Sequence, residues 1–432
     1  MISVSGKNWE ENFLNKRIVE KVKLDHDFSD IISKLIISRN FDQLEINTIN
    51  KKIELTNPFT RKFDFIESNN ILNKAIKNNK KIFIIGDYDV DGCVSAALFV
   101  NFFKEIKKNV NYYIPNRFKD GYGAGVNLIK KIVKKNPDLI ILLDCGSNSY
   151  DSIDLLNKKK IKTLIIDHHE INKPYPKSNG LINPKKECDY KEYNYFSAAT
   201  LSYFFIDFYI KKNKLKIDFT KYLIFVLLSI ICDVMPLRKI NRIIALKVLD
   251  KFHIKKNFLF NKIFDLKKIN RPLEINDFGF LIGPLLNSAG RLDNPNKVVD
   301  LLTSENPLII EKIIKDLIKI NEKRKKIEND SIKEIDFNKI NTSHDNVIVI
   351  YDKFFNEGII GIIASRIKEY FGKPCVVLTK SGKIYKASAR STSNFNIGKY
   401  IKHAIDKDII INGGGHNLAA GFSINLNKIP LF

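Results

Sequence analysis

The sequence predicts an α/β protein made of two blocks joined by a long helix. In the first block, short apolar runs that each end in an acidic cluster lie at 82–92, 139–146 and 163–170, with helical stretches between them. Continuous apolar runs of this length are typical of strands buried on both faces of a parallel sheet. A second block has strands at 346–352 and 374–380. Strand and helix alternation favours right-handed βαβ units.

The longest predicted helix covers about residues 308–335. Its apolar residues recur at helical spacing and its other face is heavily charged, which is typical of a helix that connects two domains. The other predicted helices are 95–107, 126–135, 152–160, 197–211, 221–232 and 360–371. We expect four regions: an N-terminal segment (1–75) packing on the next domain, a larger α/β domain (76–304), a connector helix (305–342) and a smaller α/β domain (343–432).

The composition points to a polyanionic partner. The chain has 432 residues and a formal charge of +24, with 44% hydrophobic and 11% aromatic residues. The apolar content excludes a mainly disordered chain, and the charge favours nucleic acid or an anionic membrane surface as a partner. Codon bias toward Lys is an alternative source of the charge, since only eleven of the 72 basic residues are Arg.

Membrane and disulfide-rich classes are not expected. The N-terminus lacks the apolar region of a signal peptide, and the longest apolar run, 222–232, is far shorter than the roughly 20 residues that span a bilayer. The five cysteines are scattered and form no CxxC pair, which argues against a disulfide framework and a thiolate zinc site. We therefore expect a cytoplasmic protein.

The acidic strand ends predict a metal site. Loops at the carboxyl ends of neighbouring parallel strands converge on one crevice, and so many carboxylates in one cleft repel each other unless cations bind there. Oxygen ligands with one or two imidazoles suit Mn²⁺ or Mg²⁺, and alternate carboxylates suit two ions. A single Asp after a strand is often only a helix N-cap. The residues involved are Asp87, Asp89, Asp91, Asp144, Asp167, His168 and His169.

A series of motifs runs along the chain from about residue 80 to residue 421. They are GDYDVDG (86–92), RFKDGYG (117–123), LLDCG (142–146), IIDHH (165–169), CDVMPL (232–237), GPLLNSAGRLDN (283–294), EGIIGIIASRI (357–367), SARS (388–391) and GGGHNLAAG (413–421). In kind and order, these motifs resemble those of the RecJ single-stranded-DNA exonucleases of the DHH phosphoesterase superfamily. The resemblance implies a parallel-sheet DHH domain joined by the long helix to a smaller α/β DHHA1 domain.

The resemblance also implies site residues and an activity. The implied activity is 5′→3′ hydrolysis of single-stranded DNA to 5′-mononucleotides with two Mn²⁺ or Mg²⁺ ions, in DNA repair and recombination, with a helicase and a single-strand-binding protein as partners. The implied metal ligands are Asp89, Asp91, Asp144, His168 and Asp233. Other catalytic residues are Asp87, Asp167, His169, Asn287 and His416. The implied substrate contacts are Arg117, Tyr122, Arg291, Ser388 and Arg390, the arginines and Ser388 for phosphates, including the terminal 5′-phosphate, and Tyr122 for base stacking.

The chain departs from the family pattern in several places. Leu285, Asn356 and Ala387 stand where Arg, His and Gly are usual, and the OB-fold that usually follows the DHHA1 domain is not expected here. Two alternative functions stay open. One is a DHH phosphodiesterase acting on short oligonucleotides or cyclic dinucleotides, and the other is a catalytically silent single-strand-binding scaffold.

Overall fold

A computed structural model shows two α/β domains and confirms the predicted fold class. It describes residues 2–4, 6, 8–10, 13–49, 54–121, 123–342 and 345–432. In this part of the chain no helix is both long enough and apolar enough to span a bilayer.

The first domain contains a five-stranded parallel sheet. Its strands are β1 (Ile82–Gly86), β2 (Asn111–Tyr113), β3 (Leu139–Leu143), β4 (Lys162–Ile166) and β5 (Gly180–Ile182), in the order β2-β1-β3-β4-β5. The three long central strands are those that the apolar runs predict. The two edge strands have three residues each, which is too short to produce a recognisable pattern.

Helices cover both faces of this sheet, as continuous apolar strands require. Ile82 and Ile84 of β1 pack into the larger core, whereas Phe83 and Ile85 point into a smaller core on the opposite face. The helices up to the connector are α1 (Lys16–His26), α2 (Asp30–Ser38), α3 (Gln43–Ile49), α4 (Phe63–Lys77), α5 (Val90–Glu105), α6 (Val126–Val133), α7 (Tyr150–Lys158), α8 (Ala198–Lys212), α9 (Leu223–Cys232), α10 (Lys239–Lys251), α11 (Phe258–Leu266), α12 (Ile275–Asp277), α13 (Gly283–Leu292) and α14 (Asn296–Thr303).

Helix α5 begins five residues earlier than predicted. The sequence predicts its start at residue 95, but the helix begins at Val90, because the side chain of Asp89 accepts a hydrogen bond from the backbone N–H of Gly92 (3.1 Å) and caps it. Gly92 allows this tight entry, since a Cβ there would lie 2.3 Å from the backbone nitrogen of Asp87. The acidic segment is therefore half loop and half helix.

The connector helix and the second domain complete the fold. Helix α15 (Pro307–Lys333) leads to the second domain. The remaining elements are α16 (Phe337–Thr342), β6 (Ile348–Tyr351), α17 (Ile360–Phe371), β7 (Cys375–Ser381), β8 (Ile384–Arg390), α18 (Ile397–Asp406), β9 (Asn412–Gly415) and β10 (Ala419–Ile424). The five strands form a sheet in the order β6-β7-β8-β10-β9, in which only β6 and β7 are parallel.

The two domains are in direct contact beside the connector. Arg291 of α13 donates a hydrogen bond from Nη1 to the carbonyl oxygen of Gly358 (3.1 Å). On the connector, the buried carboxylate of Glu328 binds both Arg324 (2.6 Å) and Arg366 of α17 (2.8 Å). These contacts attach the second domain to α13 and to the connector.

Gly358→Ala is expected to disturb this docking. A Cβ at Gly358 would lie 2.0 Å from the carbonyl oxygen of Arg291, so the two backbones must separate. Overpacking of this kind destabilises by about 1–3 kcal/mol. Denaturant unfolding measures the loss, and Gly414→Ala, where nothing lies within 4 Å of the new Cβ, is the matched control. Equal stability of the two variants would contradict the close approach.

Candidate functional site

Carboxylates and imidazoles from four chain segments meet at the carboxyl edge of the first sheet. Asp87 follows β1, Asp144 follows β3, His168 follows β4, and Asp233 ends α9. Their ligand atoms form three groups, each within 4.8 Å: Asp87–Asp89–Asp144, Asp91–His168–Asp233 and Asp144–His168–His169. The predicted metal ligands are therefore brought together, although their role as ligands stays a prediction.

His168 lies at the centre of the carboxylates. Its Nε2 is 3.2 Å from Asp144 Oδ1, 3.4 Å from Asp233 Oδ2 and 3.6 Å from Asp91 Oδ2. Atoms bound to one cation at about 2.1 Å are separated by about 3.0–3.5 Å, so these spacings suit a shared ion. Burial lowers the pKa of His168 to about 3, aided by the charge of His169. The ring is therefore neutral and available as a ligand.

Asp144 belongs to two of the three groups. It is buried, with φ at 59°, a left-handed conformation that residues other than Gly adopt at a cost. Its Oδ1 has no hydrogen-bond donor among the described residues. Burial raises its pKa well above the usual range, and the charges of Asp91, Asp89, Asp87 and Asp233 raise it further. A bound cation would satisfy this oxygen.

Asp87 and Asp233 show the same electrostatic penalty. Burial raises the pKa of each to about 8, and neighbouring carboxylates add to the shift: Asp89 for Asp87, and Asp91 then Asp89 for Asp233. The Oδ2 atom of Asp233 is also buried without a donor among the described residues. The site thus collects carboxylates at a free-energy cost that positive charge would offset.

Asp91 has a second set of contacts that the sequence does not reveal. Its Oδ2 accepts a hydrogen bond from the backbone N–H of Ala198 (2.7 Å), and its Oδ1 accepts one from Ala199 (2.8 Å) and one from the hydroxyl of Ser229. The two N–H groups belong to the first turn of α8. Asp91 therefore anchors the N-terminus of α8 while also facing His168.

His169 and Asp167 form a charged pair at the mouth of the cleft. Nδ1 of His169 lies 2.8 Å from Asp167 Oδ1, and the His169 side chain is 42% exposed. Burial opposes a charged ring, but Asp167 outweighs it and raises the pKa of His169 to about 9. For Asp167, burial is likewise outweighed by His169, which lowers the carboxyl pKa. In the metal-free protein, Asp167 therefore favours the protonated form of His169.

Arg117, Arg291 and Arg390 lie together where the second domain meets the first. Each is half-buried, and within the described chain none forms an ion pair with a carboxylate. Instead, each donates a hydrogen bond to a backbone carbonyl: Arg117 Nε to Gly290 (3.3 Å), Arg291 to Gly358 and Arg390 to Ala389. Burial lowers the pKa of Arg291 to about 10, and the charges of Arg117 and Arg390 lower it further. Three guanidinium groups without carboxylates are suited to bind an anion.

Ser388 and His416 reach the same region from the second domain. Ser388 Oγ accepts a hydrogen bond from Nη1 of Arg390 (3.2 Å). His416 lies in the turn between β9 and β10, where its Nδ1 accepts a hydrogen bond from the backbone N–H of Leu418 (3.3 Å). Burial lowers its pKa, and the charges of Lys185 and Arg390 contribute. Ser388 therefore lies beside one of the three arginines, and the charge of His169 in the cleft also lowers the pKa of His416.

Two further predicted residues differ in outcome. Asn287 accepts a hydrogen bond at Oδ1 from the backbone N–H of Val90 (3.2 Å), between Asp89 and Asp91, so the contact observed is with the backbone of the acidic segment. Its catalytic role stays a prediction. Tyr122 lies outside the described residues.

Asn183 and Ser147 are buried polar residues that sequence reasoning missed. Asn183 follows β5 and donates from Nδ2 to the hydroxyl of Ser147 (2.8 Å) and to the carbonyl oxygen of His169 (2.9 Å). The backbone N–H of Ser147 donates to Asp167 Oδ2 (3.0 Å). Together they hold the loop that carries both histidines. The available signal was a polar residue after a fourth strand, but β5 is too short to be recognised.

Two family models match the chain. The model of the DHH family N-terminal domain matches residues 81–230, and that of the DHHA1 domain matches residues 344–432; together they match more than half of the chain.

Several curated relatives are named single-stranded-DNA-specific exonuclease RecJ. The protein of Haemophilus influenzae is 31% identical over 385 residues, covering 82% of this chain and 65% of the relative. That of Bacillus subtilis is 26% identical over 435 residues, covering 99% of this chain and 54% of the relative. The Escherichia coli protein is 28% identical, covering 84% of this chain and 66% of the relative. The chain thus spans between about half and two thirds of the length of these relatives.

Solved structures show the same fold. RecJ from Thermus thermophilus in complex with Mn²⁺ superimposes with a TM-score of 0.82 at 20% identity, covering 97% of this chain and 60% of that one. An exonuclease RecJ bound to manganese gives a TM-score of 0.73 at 23% identity, covering 88% of this chain and 94% of that one. With its acidic cleft, its histidine pair and both matching domains, this chain belongs to the DHH family and carries a DHHA1 domain after its DHH domain.

Proposed function

We propose that this protein is a metal-dependent exonuclease that degrades single-stranded DNA in the 5′→3′ direction to 5′-mononucleotides. The observation that carries the proposal is the placement of three arginines without carboxylate partners, within the described chain, beside a cleft crowded with carboxylates. Such a site suits a substrate with one phosphate at its end and another to be cleaved. The names of the relatives support single-stranded DNA as the substrate.

The residues present fit two divalent ions. The buried oxygens Asp144 Oδ1 and Asp233 Oδ2 lack hydrogen-bond donors among the described residues, and the donor set of carboxylates with neutral imidazole suits Mn²⁺ or Mg²⁺. Ions held here would polarise the scissile phosphate and supply a hydroxide nucleophile near neutral pH. We assign Asp89, Asp91, Asp144, His168 and Asp233 as the ligands, with Asp87 beside them.

The chain's own residues bind and orient the substrate. Arg117, Arg291 and Arg390 hold phosphate oxygens, and Ser388 supports Arg390. His169, kept protonated by Asp167, stands at the mouth of the cleft, where it can donate a proton to the departing oxygen. His416 would contact the scissile region from the second domain, and Asn287 keeps the acidic segment in place. The lysine-rich surface adds a diffuse attraction that weakens with salt.

We also propose the setting and the domain roles. The region 1–75 packs on a catalytic domain over 76–304, a connector covers 305–342, and 343–432 binds substrate. The five cysteines are unpaired, which supports a reducing cytoplasm. DNA repair and recombination, with a helicase and a single-strand-binding protein, would supply single strands to such an enzyme. Co-purification with either partner in the presence and absence of DNA tests this association.

Metal-free protein is expected to lose stability as the pH rises from about 4 to about 8. Asp87 and Asp233 hold their protons up to a pKa of about 8 and Asp91 up to about 6, against 3.8 as the ordinary value, so the unfolded state loses protons first and is favoured as the pH rises. Mn²⁺ should reverse this loss, and therefore stabilise more at pH 8 than at pH 5. Thermal unfolding with EDTA or MnCl₂ at the two pH values measures this. Equal stabilisation at both would contradict the coupling.

The exonuclease proposal is tested with one oligonucleotide labelled at either end. With Mn²⁺, a 5′ label should appear at once as mononucleotide, whereas a 3′ label should remain in shortening strands. A duplex competitor should inhibit weakly. Digestion of dinucleotides or cyclic dinucleotides without degradation of a long strand would indicate the phosphodiesterase function. Binding of the strand without any cleavage, with either metal, would indicate the silent scaffold.

A further inference from the structure

The ring of Tyr88 lies directly under the guanidinium group of Arg117. The Cζ atom of Arg117 is 4.1 Å from the centre of the ring. Tyr88 itself stands between Asp87 and Asp89 in the acidic segment, and it is partly buried. A single residue therefore has its backbone in the metal cleft and its side chain against one of the three arginines.

We propose that Tyr88 is a positioning residue for the phosphate pocket: its ring holds the guanidinium of Arg117 in place to receive the 5′-terminal phosphate. The inference rests on the proposed exonuclease function, and it adds a residue that acts on the substrate through Arg117. The family resemblance assigns no role to this tyrosine.

Among the described residues, Arg117 has few anchors besides this ring. It lies in the turn at 117–120, outside any helix or strand, and the hydrogen bond that its side chain donates is a long one, from Nε to the carbonyl oxygen of Gly290 (3.3 Å). Arg291 and Arg390 repel it, as their lowered pKa values show: burial is the main cause, and the charge of Arg117 contributes to both. Without the ring, Arg117 would turn toward solvent.

The ring supplies the missing attraction. The face of an aromatic ring attracts a cation without the neutralisation that a carboxylate would cause. A carboxylate at this place would compete with the phosphate, whereas a ring leaves the positive charge available to it. Tyrosine therefore fixes the arginine and preserves its charge for the substrate.

The backbone of Tyr88 is also held in place by a neighbouring helix. This backbone is pressed against α13, since a Cβ on Gly290 would lie 2.2 Å from the carbonyl oxygen of Tyr88. Gly290 in turn accepts the hydrogen bond of Arg117. The acidic segment, α13 and Arg117 are thus all in contact with one another. The ring of Tyr88 therefore fixes how far the pocket for the terminal phosphate lies from the acidic cleft.

The test compares Tyr88→Phe with Tyr88→Leu. The wild type and each variant are assayed with Mn²⁺ on two single strands of one sequence, one with a 5′-phosphate and one with a 5′-hydroxyl end. The readout is the ratio of kcat/KM for the two ends. Tyr88→Phe keeps the ring and should keep the ratio, whereas Tyr88→Leu should lower it about 10-fold through KM. Tyr370→Leu, which removes an exposed ring on α17 that packs on other rings, is the matched control.

Two further measurements separate positioning from general damage. Calorimetric Mn²⁺ affinity should be equal in the wild type and Tyr88→Leu, and the double variant Tyr88→Leu/Arg117→Ala should be no worse than Arg117→Ala alone. If Leu unfolds the segment, Tyr88→Met serves in its place.

The possible outcomes are distinct. A wild type without preference for a 5′-phosphate overturns both the proposed phosphate pocket and this inference. A wild type with the preference and a Tyr88→Leu variant that retains it overturns the inference alone. A loss of ratio in Tyr88→Phe as large as in Tyr88→Leu, or a parallel fall in Mn²⁺ affinity, would also overturn it.

Discussion

Replacing Asp144 with Asn is expected to remove nearly all nuclease activity and yet to stabilise the metal-free protein. Asp144 belongs to two of the three ligand groups, and its Oδ1 has no donor among the described residues. Mutating a residue that only supports a metal ligand already lowers metal affinity or activity about 10–100-fold. Losing a ligand that two groups share should therefore lower nuclease activity at least about 100-fold. Burial and the neighbouring carboxylates make the charged form of Asp144 unfavourable in the metal-free protein, and Asn removes this cost, which should raise the Tm measured in EDTA.

The measurements are nuclease activity at saturating Mn²⁺ and thermal unfolding in EDTA. Asp154→Asn removes an exposed carboxylate on α7 and should change neither quantity, which makes it the matched control. If Asp144→Asn still degraded DNA with Mn²⁺, the metal assignment would be wrong. If it unfolded at a lower temperature than the wild type in EDTA, the repulsion argument would be wrong.

Asp91→Ala is expected to have the opposite effect on stability. The carboxylate of Asp91 accepts hydrogen bonds from the backbone of Ala198 and Ala199 and from Ser229, all buried. Each donor left buried without a partner costs about 1–3 kcal/mol, so the three together should lower the free energy of unfolding by about 3 kcal/mol or more. This loss should appear with and without metal, because α8 loses its anchor in either case.

Denaturant unfolding in EDTA compares this variant with Asp144→Ala, which removes the same group from the same cleft. Asp91→Asn keeps one acceptor oxygen and should fall between Asp91→Ala and the wild type. Equal free energies of unfolding for Asp91→Ala and Asp144→Ala would show that the contacts to α8 do not contribute to stability. A loss that Mn²⁺ fully reverses would contradict the anchoring role in the same way.

The central strands and the acidic edge of the sheet were predictable because both depend on local patterns. The run ahead of Asp87 is apolar at every position, which only a strand covered on both faces requires, and β1 indeed packs Ile84 and Ile85 into opposite cores. Parallel strands place their carboxyl ends at one edge, so three acidic strand ends had to meet. The edge strands β2 and β5 were missed because three residues do not make a pattern.

Contacts between distant residues were not predictable in this way. Asp91 binds the start of α8, more than 100 positions away in the chain, and Asn183 binds the carbonyl of His169 across a loop. Nothing in the local sequence shows which carboxylate is anchored by backbone N–H groups and which is left without donors. That difference depends on where the helices pack over the sheet.

The order of apolar runs, acidic clusters and arginine motifs along the chain was enough to predict the fold class, the cleft and its candidate residues, because strand burial and parallel topology follow from local hydrophobic pattern. The different roles of the residues within the cleft depend on tertiary packing alone. Within the described chain, packing leaves Asp144 Oδ1 without donors and gives Asp91 three. It also places Asp167 against His169 and sets the ring of Tyr88 beneath Arg117. Burial and hydrogen bonding decide how a charged group behaves, and both are properties of the folded chain.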